Sequence, residues 1–457
     1  MLIRRNLPLP LGEVAERSED GEGAARELAG AVSHLSHHVY PYTNHTPPEG
    51  GAHKTDNSHS SVNYCGCYCI LFDHMIALSQ TVIRTEIDRG RGTINMKGFR
   101  IDFSEEQLEE LRQRVRHTRF PRALNDGNWS FGTDSDYLQT LLAYWCDGYD
   151  WPRKQQELNQ YPQFTCDMDG LTIHFFHIPG SRKGTMPLLL THGWPDSFLR
   201  YAKVFPLLSD YDLVVPSLPG FTFSTLPTKG FLNNAEVAEL WHRLMTRVLG
   251  YKEYAAAGGD MGRGVTCYLA TRYPQEVKGI HLTDVGFIGE LVAEADEKLT
   301  PAELAYKRKA VEWQRMEGAY INIHSTKPQT LAYLLSDSPA GMAAWITEKY
   351  HAWSDWTLLT MDDILDCLTL YWMTNTACTS IRAYHGNSFT LPPLGKVTVP
   401  TAIAAFPHDV LPAPREWIEK NYPVVMYTEM PRGGHFTALE QPEKFAENIS
   451  QFINIII

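Results

Sequence analysis

The residue best placed to do chemistry is Asp260. It stands in Gly258-Gly259-Asp260-Met261-Gly262, a G-x-nucleophile-x-G arrangement in which a carboxylate occupies the position usual for serine. The lead-in Tyr254-Ala-Ala-Ala reads as a short buried strand, the glycines permit a cramped strand-to-helix turn, and Val265 to Tyr273 reads as a helix ending before Pro274. A carboxylate attacks carbon without first losing a proton and leaves an alkyl ester. That restricts the chemistry to displacement at saturated carbon, such as epoxide opening or dehalogenation. Alone, Gly-Gly-Asp-x-Gly more often marks a turn with a helix-capping Asp, so the neighbouring segments decide.

Upstream, Pro187-Leu-Leu-Leu-Thr191 is an apolar strand running into His192-Gly193-Trp194-Pro195. This segment resembles the oxyanion loop after the third strand of an α/β-hydrolase, where the Trp194 N–H would act together with the N–H after the nucleophile, that of Met261. The segment from Asp212 reads as the next buried strand, broken by prolines and Gly220. Pro423 to Tyr427 reads as a late strand leading to Gly433-Gly434-His435-Phe436. A histidine there, last in chain order after the nucleophile, is the expected general base.

From about Phe99 to its end the chain resembles a microsomal-type epoxide hydrolase of the α/β-hydrolase superfamily. The resemblance rests on ordered segments that include Phe99-Arg-Ile-Asp-Phe-Ser, Asp136-Tyr-Leu, Tyr149-Asp150-Trp151, His192-Gly-Trp-Pro, Gly258-Gly-Asp, Ser325-Thr-Lys-Pro, Asp337-Ser-Pro-Ala-Gly and Gly433-Gly-His. It implies an α/β-hydrolase fold with a mostly parallel sheet, a helical lid and an amino-terminal wrapping segment. It also implies that Asp409, second after Phe406-Pro407, is the acid that orients His435, although many relatives carry Glu there. Asp284, also after a strand end, is the competing acid. Two lid tyrosines, Tyr320 and Tyr384, are implied donors to the epoxide oxygen, with Tyr371 and Tyr333 as bland alternatives.

The implied reaction has two steps. Asp260 opens the ring, and His435 then activates a water that cleaves the glycol monoester while the N–H groups of Trp194 and Met261 hold the oxyanion. The expected partners are a small apolar epoxide and water, with no cofactor and no metal. Trp345, Trp353, Trp356, Leu334, Leu335 and Trp372 are candidate pocket walls. A haloalkane dehalogenase-like enzyme is the runner-up, but Met261 lacks the indole N–H that such enzymes use to hold halide. A non-catalytic binding protein on the same fold is the third reading, and it typically loses a base or acid that this chain retains.

Composition agrees with a large enzyme core. The 457 residues are 43% hydrophobic, with 11 Trp, 22 Tyr and 19 Phe, enough for a deep aromatic-lined pocket. A net charge of −12 argues against nucleic acid or anionic membrane surfaces as partners. The cysteines form no disulfide framework, and Cys65-Gly-Cys67-Tyr-Cys69 is too tightly spaced for a standard zinc pattern. Three Asn-x-Ser/Thr sequons matter only if the protein is secreted.

The elements that must position these residues divide the chain. Residues 1–95 read as a leader without sustained periodicity, apart from a short helix through Glu13 to Leu28. Tyr68 to Ile83 is too short, and too interrupted by Asp73 and His74, to span a bilayer. The expectation is a soluble, cytoplasmic protein, with endoplasmic reticulum membrane association as the alternative and the oligomeric state open. Residues 96–180 form the amino-terminal segment, with helices over Glu105 to Arg116 and Tyr137 to Tyr149 and a strand pair turning at Asp169-Gly170. Residues 181–285 and 394–457 make the two parts of the core, and 286–393 the lid. Crossovers in such a sheet bring Asp260, Asp409 and His435 to the carboxyl ends of its strands.

Overall fold

The structure, a computed structural model, describes residues 96–122, 124, 127–228, 230–286 and 289–457. The leader, with its expected helix, its cysteine cluster and the apolar stretch Tyr68 to Ile83, lies outside the described residues.

Nine strands form one sheet: β1 (Met96–Phe99), β2 (Gln163–Met168), β3 (Leu171–Ile178), β4 (Leu188–Thr191), β5 (Leu213–Pro216), β6 (Tyr254–Gly258), β7 (Val277–Leu282), β8 (Thr401–Ala405) and β9 (Val424–Glu429). Their order is β1-β2-β3-β5-β4-β6-β7-β8-β9. The first three strands run antiparallel to their neighbours, and β3 meets β5 antiparallel. From β5 to β9 every pairing is parallel. The central strands read LLLT, LVVP and YAAAG with no polar alternation because helices cover both faces, and all of their residues are buried. Two apolar clusters, one on each side of the sheet, form the core.

Register sets the geometry of the carboxyl edge. Thr191 pairs with Gly258, so β4 and β6 end level and their following loops emerge side by side. A parallel bridge between His408 and Gly434 continues the β8–β9 pairing past the strand ends. It brings the loop holding Asp409 against the loop holding His435.

The amino-terminal helices are α1 (Glu105–Arg116), α2 (Ser135–Asp147) and α3 (Trp151–Leu158). A reciprocal capping box between Ser104 and Gln107 starts α1. The second helix begins two residues before the expected Tyr137, because the Asp134 carboxylate accepts the N–H groups of Asp136 and Tyr137. On the carboxyl side of β5 come α4 (Asn234–Arg243) and, directly after β6, α5 (Met261–Arg272). The helical lid includes α6 (Pro301–Met316), α7 (Ala319–Thr326), α8 (Pro328–Asp337), α9 (Pro339–Trp353), α10 (Met361–Met373) and α11 (Ala383–Phe389). The amino-terminal helices brace α10: Trp145 Nε1 donates to Thr369 Oγ1 at 2.8 Å, and Tyr149 donates to Asp366 at 2.7 Å. From the other side α10 grips the loop after β4, where Tyr371 donates to the Asp196 carbonyl at 2.8 Å and Cys367 Sγ lies 3.2 Å from the Pro195 carbonyl oxygen. Among the described residues no helix is long and apolar enough to cross a membrane.

Candidate active site

At the end of β6 the chain turns so sharply that Asp260 adopts φ 54° and ψ −128°, a region that L-residues rarely occupy. Its side chain makes no capping bond to α5, so the carboxylate is free to face outward. The turn is possible only because its neighbours lack side chains. A Cβ on Gly262 would collide with the Thr191 carbonyl oxygen, and one on Gly193 would collide with the Asp260 carboxylate itself.

The Trp194 N–H donates to Asp260 Oδ1 at 2.9 Å. His435 Nε2 lies 3.3 Å from Asp260 Oδ2 without the alignment of a hydrogen bond, and His435 Nδ1 bonds Asp409 Oδ1 at 2.8 Å. Burial opposes ionisation of Asp260, yet the His435 ring and the N–H groups of Trp194 and Met261 outweigh it and hold the carboxyl below its usual range. Burial likewise opposes charge on His435, but the carboxylates of Asp409 and Asp260 push it up to about 10. Both shifts favour an imidazolium held between the carboxylates of Asp260 and Asp409.

Asp284 is close by but does not touch the ring. Its Oδ2 accepts the backbone N–H of Asp260 at 3.0 Å, and Arg263 Nε stands 3.8 Å away. Burial and then the Asp409 charge raise its carboxyl above the ordinary value.

Two further groups, which sequence reading did not single out, hold the loops. Glu440 is buried and accepts three backbone N–H groups, from Gly434 at 2.8 Å, Phe436 at 2.9 Å and Asp355 at 2.8 Å, and so clamps both sides of His435. Burial pushes its carboxyl up to about 7 against the pull of those donors. Asp196 accepts the Gly193 N–H at 3.1 Å and also pairs with the Arg200 guanidinium, which in turn donates to the His435 carbonyl at 2.8 Å. This pair ties the Trp194 loop to the His435 loop.

The lid closes over this arrangement with an aromatic cluster. Tyr320 stacks on Trp194 at 5.5 Å between ring centroids, and Tyr384 meets the same indole edge-on at 5.8 Å. The two phenol rings are 5.8 Å apart. For Tyr320 burial and then the Asp260 charge, and for Tyr384 burial and then Tyr320 and Asp260, raise the hydroxyls well above their usual range and keep them protonated. The alternatives lie elsewhere: Tyr333 is exposed, and Tyr371 is committed to the Asp196 carbonyl.

Of the candidate pocket walls, Trp353 stands 5.3 Å edge-on from the His435 ring and its carbonyl accepts the His435 N–H at 2.7 Å. Trp345 donates to His324, which packs against Tyr384 and Trp194, and Leu335 is buried. Trp356 packs against Trp129 and Tyr137, and Trp372 lies beneath Arg114. Leu334 is a correction: it is 64% exposed, on the solvent face of α8 while Leu335 takes the inner face.

Residues 96–201 match the family described as the epoxide hydrolase N terminus, and residues 186–314 match the alpha/beta hydrolase fold. The chain is 38% identical over 370 residues to a putative epoxide hydrolase of Stigmatella aurantiaca (strain DW4/3-1), covering 77% of this chain and 83% of that protein. It is 34% identical over 415 residues to epoxide hydrolase 1 of Sus scrofa, covering 79% and 89% respectively. Among solved structures, Aspergillus niger epoxide hydrolase superposes with a TM-score of 0.73 at 31% identity, covering 80% of this chain and 97% of that one.

Proposed function

The chain belongs to the epoxide hydrolases of the α/β-hydrolase fold, and on that footing we propose that it converts an apolar epoxide to a vicinal diol through an ester on Asp260. The observation that carries this reading is the ionised Asp260 carboxylate at an elbow, 3.3 Å from His435 Nε2 and beneath two protonated tyrosines.

In the first step an Asp260 oxygen attacks one ring carbon, the C–O bond breaks, and Tyr320 or Tyr384 donates a proton to the departing oxygen. Alkylation removes the negative charge of Asp260 and with it one of the two carboxylates that hold the His435 proton. The ring, still oriented by Asp409, then gives up that proton more readily, the phenolate left by the first step is reprotonated in exchange, and the neutral imidazole can act as a base. In the second step His435 takes a proton from water, the hydroxide attacks the ester carbonyl, and the Trp194 and Met261 N–H groups stabilise the oxyanion. Collapse of the tetrahedral adduct breaks the acyl C–O bond, the proton of the newly formed carboxyl group passes to the departing alkoxide, and the diol and the Asp260 carboxylate result, with the proton taken from water left on His435 as at the start. The unpaired thiols Cys146, Cys166, Cys267, Cys367 and Cys378 support a reducing, cytoplasmic setting.

The test is hydrolysis of a panel of aryl and aliphatic epoxides, followed by a single turnover in heavy-oxygen water. Diol formation with the label in Asp260 rather than in the first diol is expected. Label in the first diol, or activity above about a hundredth of wild type in Asp260→Ala, would remove Asp260 from the mechanism.

A further inference from the structure

Lys349, near the end of lid helix α9, is only 6% exposed. Lysine is rarely buried to this degree unless its charge is matched. Part of the match is Glu348, whose carboxylate stands 2.6 Å from Lys349 Nζ and keeps 23% of its side-chain surface in solvent. The rest is aromatic: the ammonium lies 4.8 Å from the centroid of the Tyr320 ring and 5.8 Å from that of Trp353. A lysine that served only to pair with Glu348 could do so at the surface.

This charge distinguishes the two phenols over Asp260. The Tyr384 ring meets Trp194, Tyr320 and His324, and burial, helped by Lys349, pushes His324 down to about 3 and keeps it neutral. Among the described residues no Lys or Arg stands over the Tyr384 ring. The hydroxyls are unequal too. Burial and the charges of Asp260, Glu348 and Asp284 raise that of Tyr320, but its contact with Tyr384 lowers it. For Tyr384 burial, Tyr320 and Asp260 all act upward.

Ring opening moves one negative charge. As Asp260 forms the ester bond, the epoxide C–O bond breaks, its electron pair stays on the ring oxygen, and that oxygen takes a phenolic proton. The charge that leaves Asp260 thus reappears as a phenolate, delocalised into the aromatic ring. A cation over the ring face attracts a phenolate more strongly than a phenol, so its effect grows toward the transition state.

We propose that Tyr320 is the phenol that gives up its proton to the opening epoxide, and that Lys349 is a positioning residue whose ammonium stabilises the Tyr320 phenolate, while Tyr384 donates a hydrogen bond and keeps its proton. The proposal deepens the reading above and rests on Asp260 opening an epoxide.

The experiment follows single-turnover ester formation with styrene oxide by rapid quench, reading the intact mass one substrate heavier. Lys349→Met keeps the stem and removes the charge. It should slow ester formation about ten- to fiftyfold, the size of a desolvated cation–π contact, with the substrate Kd and the rate of ester hydrolysis unchanged, and Lys349→Arg should recover most of the loss. In a Tyr384→Phe background Lys349→Met should cost the same factor, but in a Tyr320→Phe background less than about twofold, because no phenolate then forms beneath the ammonium. A lysine that merely holds the lid would cost the same in both backgrounds; that result, or a wild-type rate in Lys349→Met, overturns the proposal. If Lys349→Met loses cooperative melting, Glu348→Gln decides. Removing the opposing carboxylate should speed ester formation about two- to fivefold, the range of partly exposed pairs, and only where Tyr320 is present; an unchanged or slower rate overturns the proposal. Absence of any ester in wild type would instead strike the underlying reading of Asp260.

Discussion

The backbone N–H of Asp260 donates to the Asp284 carboxylate at 3.0 Å, so this second acid near His435 holds the elbow's main chain and not the imidazole. The contact on His435 Nδ1 belongs to Asp409 at 2.8 Å. Asp409→Asn should therefore slow ester hydrolysis by roughly 10²- to 10⁴-fold, the range seen when the partner that orients a catalytic imidazole is neutralised. Asp284→Asn should stay within about tenfold of wild type, because an amide oxygen can still accept the Asp260 N–H. If Asp284→Asn is the variant that stalls at the ester, the acid has been assigned to the wrong residue.

The two phenols supply the second prediction. Tyr320→Phe or Tyr384→Phe should reduce the alkylation rate about 10- to 1000-fold, as expected for loss of one preorganised donor. The double variant should be nearly inactive on epoxides, measured as single-turnover ring opening. An undiminished alkylation rate in both single variants would leave the ring oxygen with a different donor.

A third prediction follows from the charge on His435. Its two carboxylate neighbours push it up to about 10 in the folded protein, above the ordinary histidine value of 6.5, so its contribution to stability is fully present below about pH 6.5 and is lost as pH rises through 10. The melting temperature of wild type should fall across that window, and His435→Gln should flatten the fall. The same variant should still open an epoxide and stall, giving an intact mass one substrate heavier. In wild type, ester decay should rise with pH to a plateau with a midpoint below 10, because the esterified Asp260 no longer holds the proton. A midpoint equal to that of the resting protein would contradict this coupling.

The fourth prediction separates epoxide opening from halide displacement. A departing halide needs no proton but does need N–H donors, and Met261 offers only its main chain. Incubation with a bromoalkane should release no halide at a rate approaching that of epoxide opening. Rapid release, insensitive to Tyr320→Phe and Tyr384→Phe, would favour the dehalogenase reading.

Much of the core was legible because its signals are local. Gly258, Asp260 and Gly262 fall within five residues, and the order Asp260, Asp409, His435 follows from chain direction through parallel strands. The bracing was not legible. Glu440 accepts from Asp355, 85 positions away, and Arg200 reaches the His435 carbonyl across 235, distances over which no periodicity survives. Leu334 and Leu335 are chemically alike and adjacent, so only the rotation of α8 against its neighbours decides which one is inside.

Gly193 and Gly262 leave heredity few options. Every other amino acid adds the carbon for which the Asp260 carboxylate and the Thr191 carbonyl leave no room, so neither position can drift even to alanine without displacing the turn that carries Asp260. Descendants of this protein can explore new substrates only by editing what faces Asp260 from above, in the lid and its approaches. The elbow must be inherited unaltered.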